Sequence, residues 1–220
     1  MENRMGKRVV IKLGTSTLTH RTGRLNIRRV EKLVKIIADI QNAGNQVILV
    51  SSGSIGLGMA KLGLLERPSD TPTKQACAAV GQCELMYLYD KQFSEYSITV
   101  AQLLLTKYVL LEDRRKNVEN ALEQTIKMGV IPIVNENDSV SVEELLNGDN
   151  DCLSASVAVF TSANLLILLT DTDGLYDGNP AENPNAKLIR RVDLIDDGIR
   201  AITGSAGARG TGGFITKINA

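Results

Sequence analysis

Lys12 interrupts an otherwise apolar run, VVIKLG, and an ammonium group in such a run needs either an anion or a route to water. Two readings fit. The side chain snorkels to the surface at the end of a strand, or it projects into a site that holds negative charge. A second lysine, Lys217, closes the segment GTGGFITK, in which Gly210, Gly212 and Gly213 crowd together. Glycines let backbone N–H groups approach an anion without a side chain in the way. A helix starting there adds free N–H groups and the positive end of its dipole. The segment suits a phosphate, yet it is neither GxxxxGK[ST] nor GxGxxG, and read alone it is equally a glycine-rich surface loop. The third unusual segment, NGDND, sets Asp149 and Asp151 around Asn150 at the start of an apolar stretch. Helix capping is one account, and Asp151 could serve it alone. The other is that these carboxylates position lysines, or approach a magnesium ion already held by phosphates.

Composition removes several alternatives. His20 is the only histidine in 220 residues, which argues against histidine-dependent triads and His-rich metal sites. Any chemistry must therefore use Lys, Asp, Asn, Ser and backbone groups. The 25 basic and 25 acidic residues cancel, so bulk charge offers nothing to nucleic acid or an anionic membrane. No apolar run reaches the roughly 18 residues of a membrane span, and MENRMGKR does not read as a signal peptide. Cys77, Cys83 and Cys152 match no zinc spacing and are expected to be reduced, buried thiols in the cytoplasm.

The elements that must carry these residues follow from periodicity. Buried strands are expected at Arg8 to Gly14, Gln46 to Ser51, Val130 to Val134 and Leu165 to Thr170, with a further strand-like run at Ile98 to Leu105. Val30, Leu33, Val34, Ile37 and Ile40 form a helical stripe between Asn26 and Gly44, residue types suited to its two caps. Further helices are expected from SGSIGLG to Leu62, at Lys74 to Phe93, Arg114 to Met128 and Asn150 to Ser162, and a short one at Ile195 to Ala201. Asp177 to Asn185 reads as loop. Apolar strands alternating with amphipathic helices mean a mainly parallel sheet covered on both faces, an α/β, three-layer αβα sandwich.

In such sheets ligands bind beyond the carboxyl ends of the strands. The residues there are Lys12, Gly14, Thr15 and Ser16; Ser51, Ser52, Gly53, Ser54 and Gly56; Asn135, Glu136, Asn137 and Asp138; and Thr170, Asp171, Asp173 and Gly174. Turn and capping preferences account for each singly. Together they make a rim dense in hydrogen-bonding groups.

With these segments in view, the chain resembles the glutamate 5-kinases of the amino acid kinase family. The matching pieces are VVIKLGTS, VSSGSIGLG, KQACAAVGQ, VNENDSV, GDND, LLTDTDGLYDGNP and GTGGFITK, in the family's order and spread over nearly the whole chain. The resemblance implies ATP-dependent phosphorylation of the γ-carboxylate of L-glutamate with Mg²⁺, the first step of proline synthesis. It implies a cytoplasmic homo-oligomer, inhibited by proline, with no nucleic-acid or membrane partner. It also assigns roles. Lys12 and Lys217 would flank the transferred phosphoryl group, and Asp151 would hold them. Ser52, Gly53 and Ser54 would contact glutamate or the phosphoryl group, while Asn135, Asp138 and Asn150 would recognise the amino acid end, Asp138 its ammonium. Thr170 and Asp171 would contact nucleotide, and Thr211, Gly212, Gly213, Phe214, Ile215, Thr216 and Lys217 would line its phosphates. Metal contacts by Asp149 or Asp151 are left open.

Two residues depart from the family pattern: Ser54 stands for the usual alanine, and Phe214 for the usual methionine. The family's kinase domain continues past GTGG…TK with a helix and further strands. Residues 1–220 are therefore expected to be an incomplete kinase domain, without the RNA-binding-like domain many members carry. Two alternatives remain at this stage: a truncated, weakly active relative that still binds glutamate, and a kinase for another acid such as N-acetylglutamate. A nicotinamide-dependent dehydrogenase lacks support, because no GxGxxG follows the first strand.

Overall fold

The computed structural model describes residues 6–20, 24–106, 112–141, 150–180, 182–203 and 213–220. Among them five short runs rich in Val, Ile and Leu form strands: β1 (Arg8–Leu13), β2 (Gln46–Ser51), β3 (Val100–Leu105), β4 (Ile131–Glu136) and β5 (Leu165–Leu169). They pair in the order β3-β4-β2-β1-β5, and every pairing is parallel. The central β1 and β2 run in register from Arg8↔Gln46 to Leu13↔Ser51, which brings their carboxyl ends level.

The helices are α1 (Thr15–Leu18), α2 (Ile27–Asn42), α3 (Ser54–Leu62), α4 (Thr71–Ser94), α5 (Glu112–Lys127), α6 (Asp151–Phe160), α7 (Asp197–Ile202) and α8 (Gly213–Asn219). Side chains alternate between the faces of a strand, and that alternation divides the core in two. Val9, Ile11, Leu13, Val47, Leu49, Ile131 and Ile133 pack against Val30, Val34 and Ile37 of α2 and Leu85, Tyr89 and Phe93 of α4. Val10, Ile48, Val50 and Val134 pack on the opposite face against Val118, Leu122 and Ile126 of α5 and Leu153 and Val157 of α6. The result is the expected three layers. No described helix is long and apolar enough to cross a membrane.

Several local expectations change. β4 extends through Glu136, because Leu104 and Leu105 of β3 pair with Asn135 and Glu136; half of the NEND motif is thus strand. β5 is partly exposed, not buried, since β1 is its only strand neighbour among the described residues. α4 starts at Thr71, where the Asp70 side chain caps the Thr73 N–H. α6 begins at Asp151, and the Asn150 side chain preceding it makes no capping bond. Of the cysteines only Cys77 is buried; Cys83 and Cys152 sit on the outward faces of their helices, so the expectation of three buried thiols fails.

Candidate active site

Lys12 shares the parity of Val10, so its side chain leaves the sheet on the α6 face, where the first residue of α6 is Asp151. Asp151 is wholly buried, and each of its carboxylate oxygens meets a cation. Oδ1 lies 2.7 Å from Lys12 Nζ and Oδ2 lies 3.0 Å from Lys217 Nζ. Thr216 Oγ1 also donates to Oδ2 at 3.0 Å. Two cations about one carboxylate make a cluster of net positive charge, shielded from water, at the carboxyl end of β1. Carboxylates stabilise the first turn of a helix, so the α6 N-terminus also favours an ionised Asp151. Snorkelling does not describe Lys12: its side chain is only 7% exposed.

A second cluster adjoins the first through Asn150, next to Asp151 in the chain. Asn150 Nδ2 donates to the Ser51 carbonyl at 2.7 Å, Ser52 Oγ at 3.0 Å and Asn135 Oδ1 at 2.8 Å. Asn135 Nδ2 donates to Gln82 Oε1 at 3.0 Å, and Gln82 Nε2 to Gln102 Oε1 at 3.2 Å. Strand parity explains the route. Asn135 follows Ile131 and Ile133 onto the α4 face, where Gln82 waits, and Ser51 follows Val47 and Leu49 to meet the Tyr89 hydroxyl at 2.8 Å.

Ser54 Oγ donates to Asp138 Oδ2 at 2.9 Å. Gly53, which precedes Ser54 and opens α3, has φ +99°, a turn that a side chain would strain. Burial pushes the Asp138 carboxyl up to about 6; the Ser54 hydrogen bond opposes this, the neighbouring Glu136 charge adds to it, and Arg67 weakly offsets it. Two buried acceptors here have no hydrogen-bond partner among the described residues, Asp138 Oδ1 and Asn150 Oδ1. Buried acceptors without donors are rare in folded proteins, and a pair of them beside a binding rim calls for a donor from a ligand.

Thr170 sits between two cavities. One, of about 360 Å³, is lined by Leu168, Leu169, Thr172, Asp173, Gly174, Phe214, Lys217 and Ile218 besides Thr170. It combines an apolar wall with the Lys217 ammonium, as a base followed by phosphates requires. The other, of about 540 Å³, includes Thr170, Asp171, Arg29 and His20. Asp171 is exposed there, accepting a 3.3 Å bond from Thr170 Oγ1, and no bond joins it to the lysine cluster. Gly213, Phe214, Ile215, Thr216 and Lys217 all belong to α8. Thr211, Gly212 and Asp149 lie outside the described residues.

Gln82, Gln102 and Tyr89 are no part of the site read from the sequence, and Ser51 and Glu136 have only a place on its rim, yet the structure ties all of them to it. A signal existed for Gln82: it breaks the apolar stripe of Ala78, Leu85 and Tyr89 on the buried face of α4. A polar side chain on such a face must have a partner.

A parallel sheet with a buried lysine–carboxylate–lysine cluster at its carboxyl edge, beside an apolar cavity, suits transfer of an anionic group from a nucleotide. A profile of the amino acid kinase family matches residues 7–220, and the chain belongs to that family. Among curated proteins it is similar to the glutamate 5-kinase of Clostridium perfringens, 50% identical over 97% of this chain and 82% of that one. The glutamate 5-kinase of Clostridium acetobutylicum is 54% identical over 97% of this chain and 80% of its own. That of Moorella thermoacetica is 52% identical over 97% of this chain and 57% of its own.

Proposed function

We propose that this protein transfers the γ-phosphoryl group of ATP to the γ-carboxylate of L-glutamate, giving γ-glutamyl phosphate and ADP, as the first step of proline synthesis. One observation carries the reading: the Lys12–Asp151–Lys217 cluster stands next in the chain to Asn150, whose Oδ1, like Asp138 Oδ1, is a buried acceptor without a partner among the described residues. A glutamate side chain has a pKa of about 4.3 and is already a nucleophile at neutral pH. No general base is needed, which suits a chain with one histidine. A carboxylate oxygen attacks the γ-phosphorus, the bond to the β,γ-bridging oxygen breaks, and ADP departs with the electron pair.

The difficulty is electrostatic, since one anion must approach another and charge spreads over the transferring group. Lys12 and Lys217 supply preorganised positive charge, and Asp151 fixes both. Ser52 and the Gly53 and Ser54 amides hold the reacting carboxylate or phosphoryl oxygens. Asp138 Oδ1 and Asn150 Oδ1 accept the α-ammonium. The cavity faced by Phe214 and Ile218 takes the base, with Thr170 and Asp171 at its rim. Mg²⁺ arrives as part of the MgATP substrate. No described residues form a cluster of three or more metal-binding side chains, and both Asp151 oxygens face lysines, so the phosphates are its principal ligands. Proline carries an ammonium and a carboxylate, so inhibition by it is expected to compete with glutamate. Two exposed thiols fit a reducing, cytoplasmic setting.

The test is ADP release dependent on glutamate and Mg²⁺, with the acyl phosphate trapped as hydroxamate. N-Acetylglutamate is the informative control, because acetylation removes the charge that Asp138 accepts. Turnover with glutamate and little with the acetylated acid is expected; the reverse preference refutes the assignment.

A further inference from the structure

Backbone groups dictate which way the Asn135 and Asn150 amides face. Asn135 Oδ1 receives the Glu136 N–H at 3.0 Å, a group that can only donate. Asn150 Nδ2 faces the Ser51 carbonyl at 2.7 Å, a group that can only accept. Asn135 must then present Nδ2 to Gln82, whose Oε1 accepts it at 3.0 Å, and Gln82 must turn Nε2 to Gln102 Oε1. A flipped Asn135 would set its amino group against the donors of Glu136 and Asn150. With every other position spoken for, Asn150 is left with its carbonyl oxygen as a buried acceptor that no described residue satisfies.

From this polarity we infer that Gln82 is a positioning residue for substrate selection: by accepting the Asn135 amide it holds in place the Asn135 oxygen that, with the Ser51 carbonyl, keeps Asn150 turned as a hydrogen-bond acceptor, which makes the site demand a free α-ammonium. Gln82 lies on α4 and touches neither the lysine cluster nor the nucleotide cavity among the described contacts. Its effect therefore falls on the amino acid end alone. The inference rests on the glutamate reading above and adds to it a residue that selects for the amine.

The experiment compares glutamate with glutarate, the same dicarboxylate without the amine, in the wild-type protein, Gln82→Met and Gln82→Glu. Methionine fills the space and removes the acceptor; glutamate keeps an acceptor toward Asn135, and the exposed Gln102 can turn to donate. For Gln82→Met the KM for glutamate is expected to rise about tenfold, with kcat and the KM for MgATP within about threefold of wild type. The preference for glutamate over glutarate should shrink by about the same tenfold factor. Gln82→Glu should keep that preference. An unchanged preference in Gln82→Met overturns the inference, as does a parallel rise in KM for glutamate and MgATP. Should Gln82→Met fail to fold, Gln82→Leu, which also lacks the acceptor, takes its place: a shrunken preference with Gln82→Glu unaffected supports the inference, and an unchanged preference overturns it. A wild-type protein that turns over neither acid refutes the proposed reaction itself, whereas an active wild type with an indifferent Gln82 refutes only this step.

Discussion

Breaking the Lys12–Asp151 pair from its two sides has unequal consequences. Lys12→Met leaves Asp151 with Lys217 and Thr216, so folding should survive while kcat falls about 10²- to 10³-fold. Asp151→Ala leaves Lys12 buried without that counter-charge, at a cost of about 3–5 kcal/mol. That corresponds to a melting temperature lower by on the order of 10 °C; calorimetry of the two variants side by side checks the asymmetry. Asp138 gives a pH test. Its carboxyl titrates near 6 in the folded chain, against 3.8 for the ordinary group. The folded state thus holds the proton more tightly. Without ligand, stability should be greatest below about pH 4 for this group and be lost as pH rises through 6. The proposed ammonium binding needs the ionised form, so kcat/KM for glutamate should fall about tenfold per unit below pH 6. Asp138→Asn should abolish that limb of the profile while lowering activity throughout. Lys12 announced itself in the sequence because a charge inside an apolar run demands a reason. Gln102 did not, since a glutamine in an exposed edge strand demands none.

Between elements, the tightest junction is the one that delivers Ser54 to Asp138. A Cβ on Gly81 of α4 would lie 1.7 Å from the Ser54 carbonyl oxygen, and one on Gly58 of α3 would lie 1.8 Å from that of Cys77. The two helices meet backbone to backbone, and neither glycine can be enlarged without driving them apart. Gly81→Ala should therefore destabilise the protein by about 1–3 kcal/mol or more and raise the KM for glutamate. Gly56→Ala is the contrast. Nothing lies within 4 Å of its added methyl, and a helix gains about 0.5–1 kcal/mol from the exchange. Denaturation midpoints of the two variants should move in opposite directions. Such close approaches are not visible in periodicity, which reports faces and not distances. The same limit explains β4: Asn135 and Glu136 look like turn residues, and only pairing with β3 draws them into the sheet. Residue type offers Asp151 as the cap of α6, yet its carboxylate lies inside the helix and pairs with Lys12 and Lys217, while the amide of the preceding Asn150 donates into the polar network.

At the scale of the molecule, the layered arrangement was plain in the sequence, because strand and helix periods alternate and each strand is nearly continuous in apolar residues. What periodicity lacks is strand order, and order is what sets the carboxyl ends of β1 and β2 side by side at the centre of the sheet. MgATP is expected to stabilise the folded protein by about 2.7 kcal/mol at a hundredfold excess over Kd. Lys217→Ala should lose most of that thermal shift, since Lys217 lines the cavity proposed for the nucleotide. The ion pairs on Asp151 have a consequence for synthesis. They join β1, among the first elements made, to α8, among the last described, so the charge cluster closes a loop of about 200 residues. At a translation rate of about 5–20 residues per second, a growing chain has Lys12 for ten seconds or more before Lys217 exists. The lysine–carboxylate–lysine cluster is thus completed only after all five described strands have been made, and a nascent chain that has not reached Lys217 holds only one of its two cations.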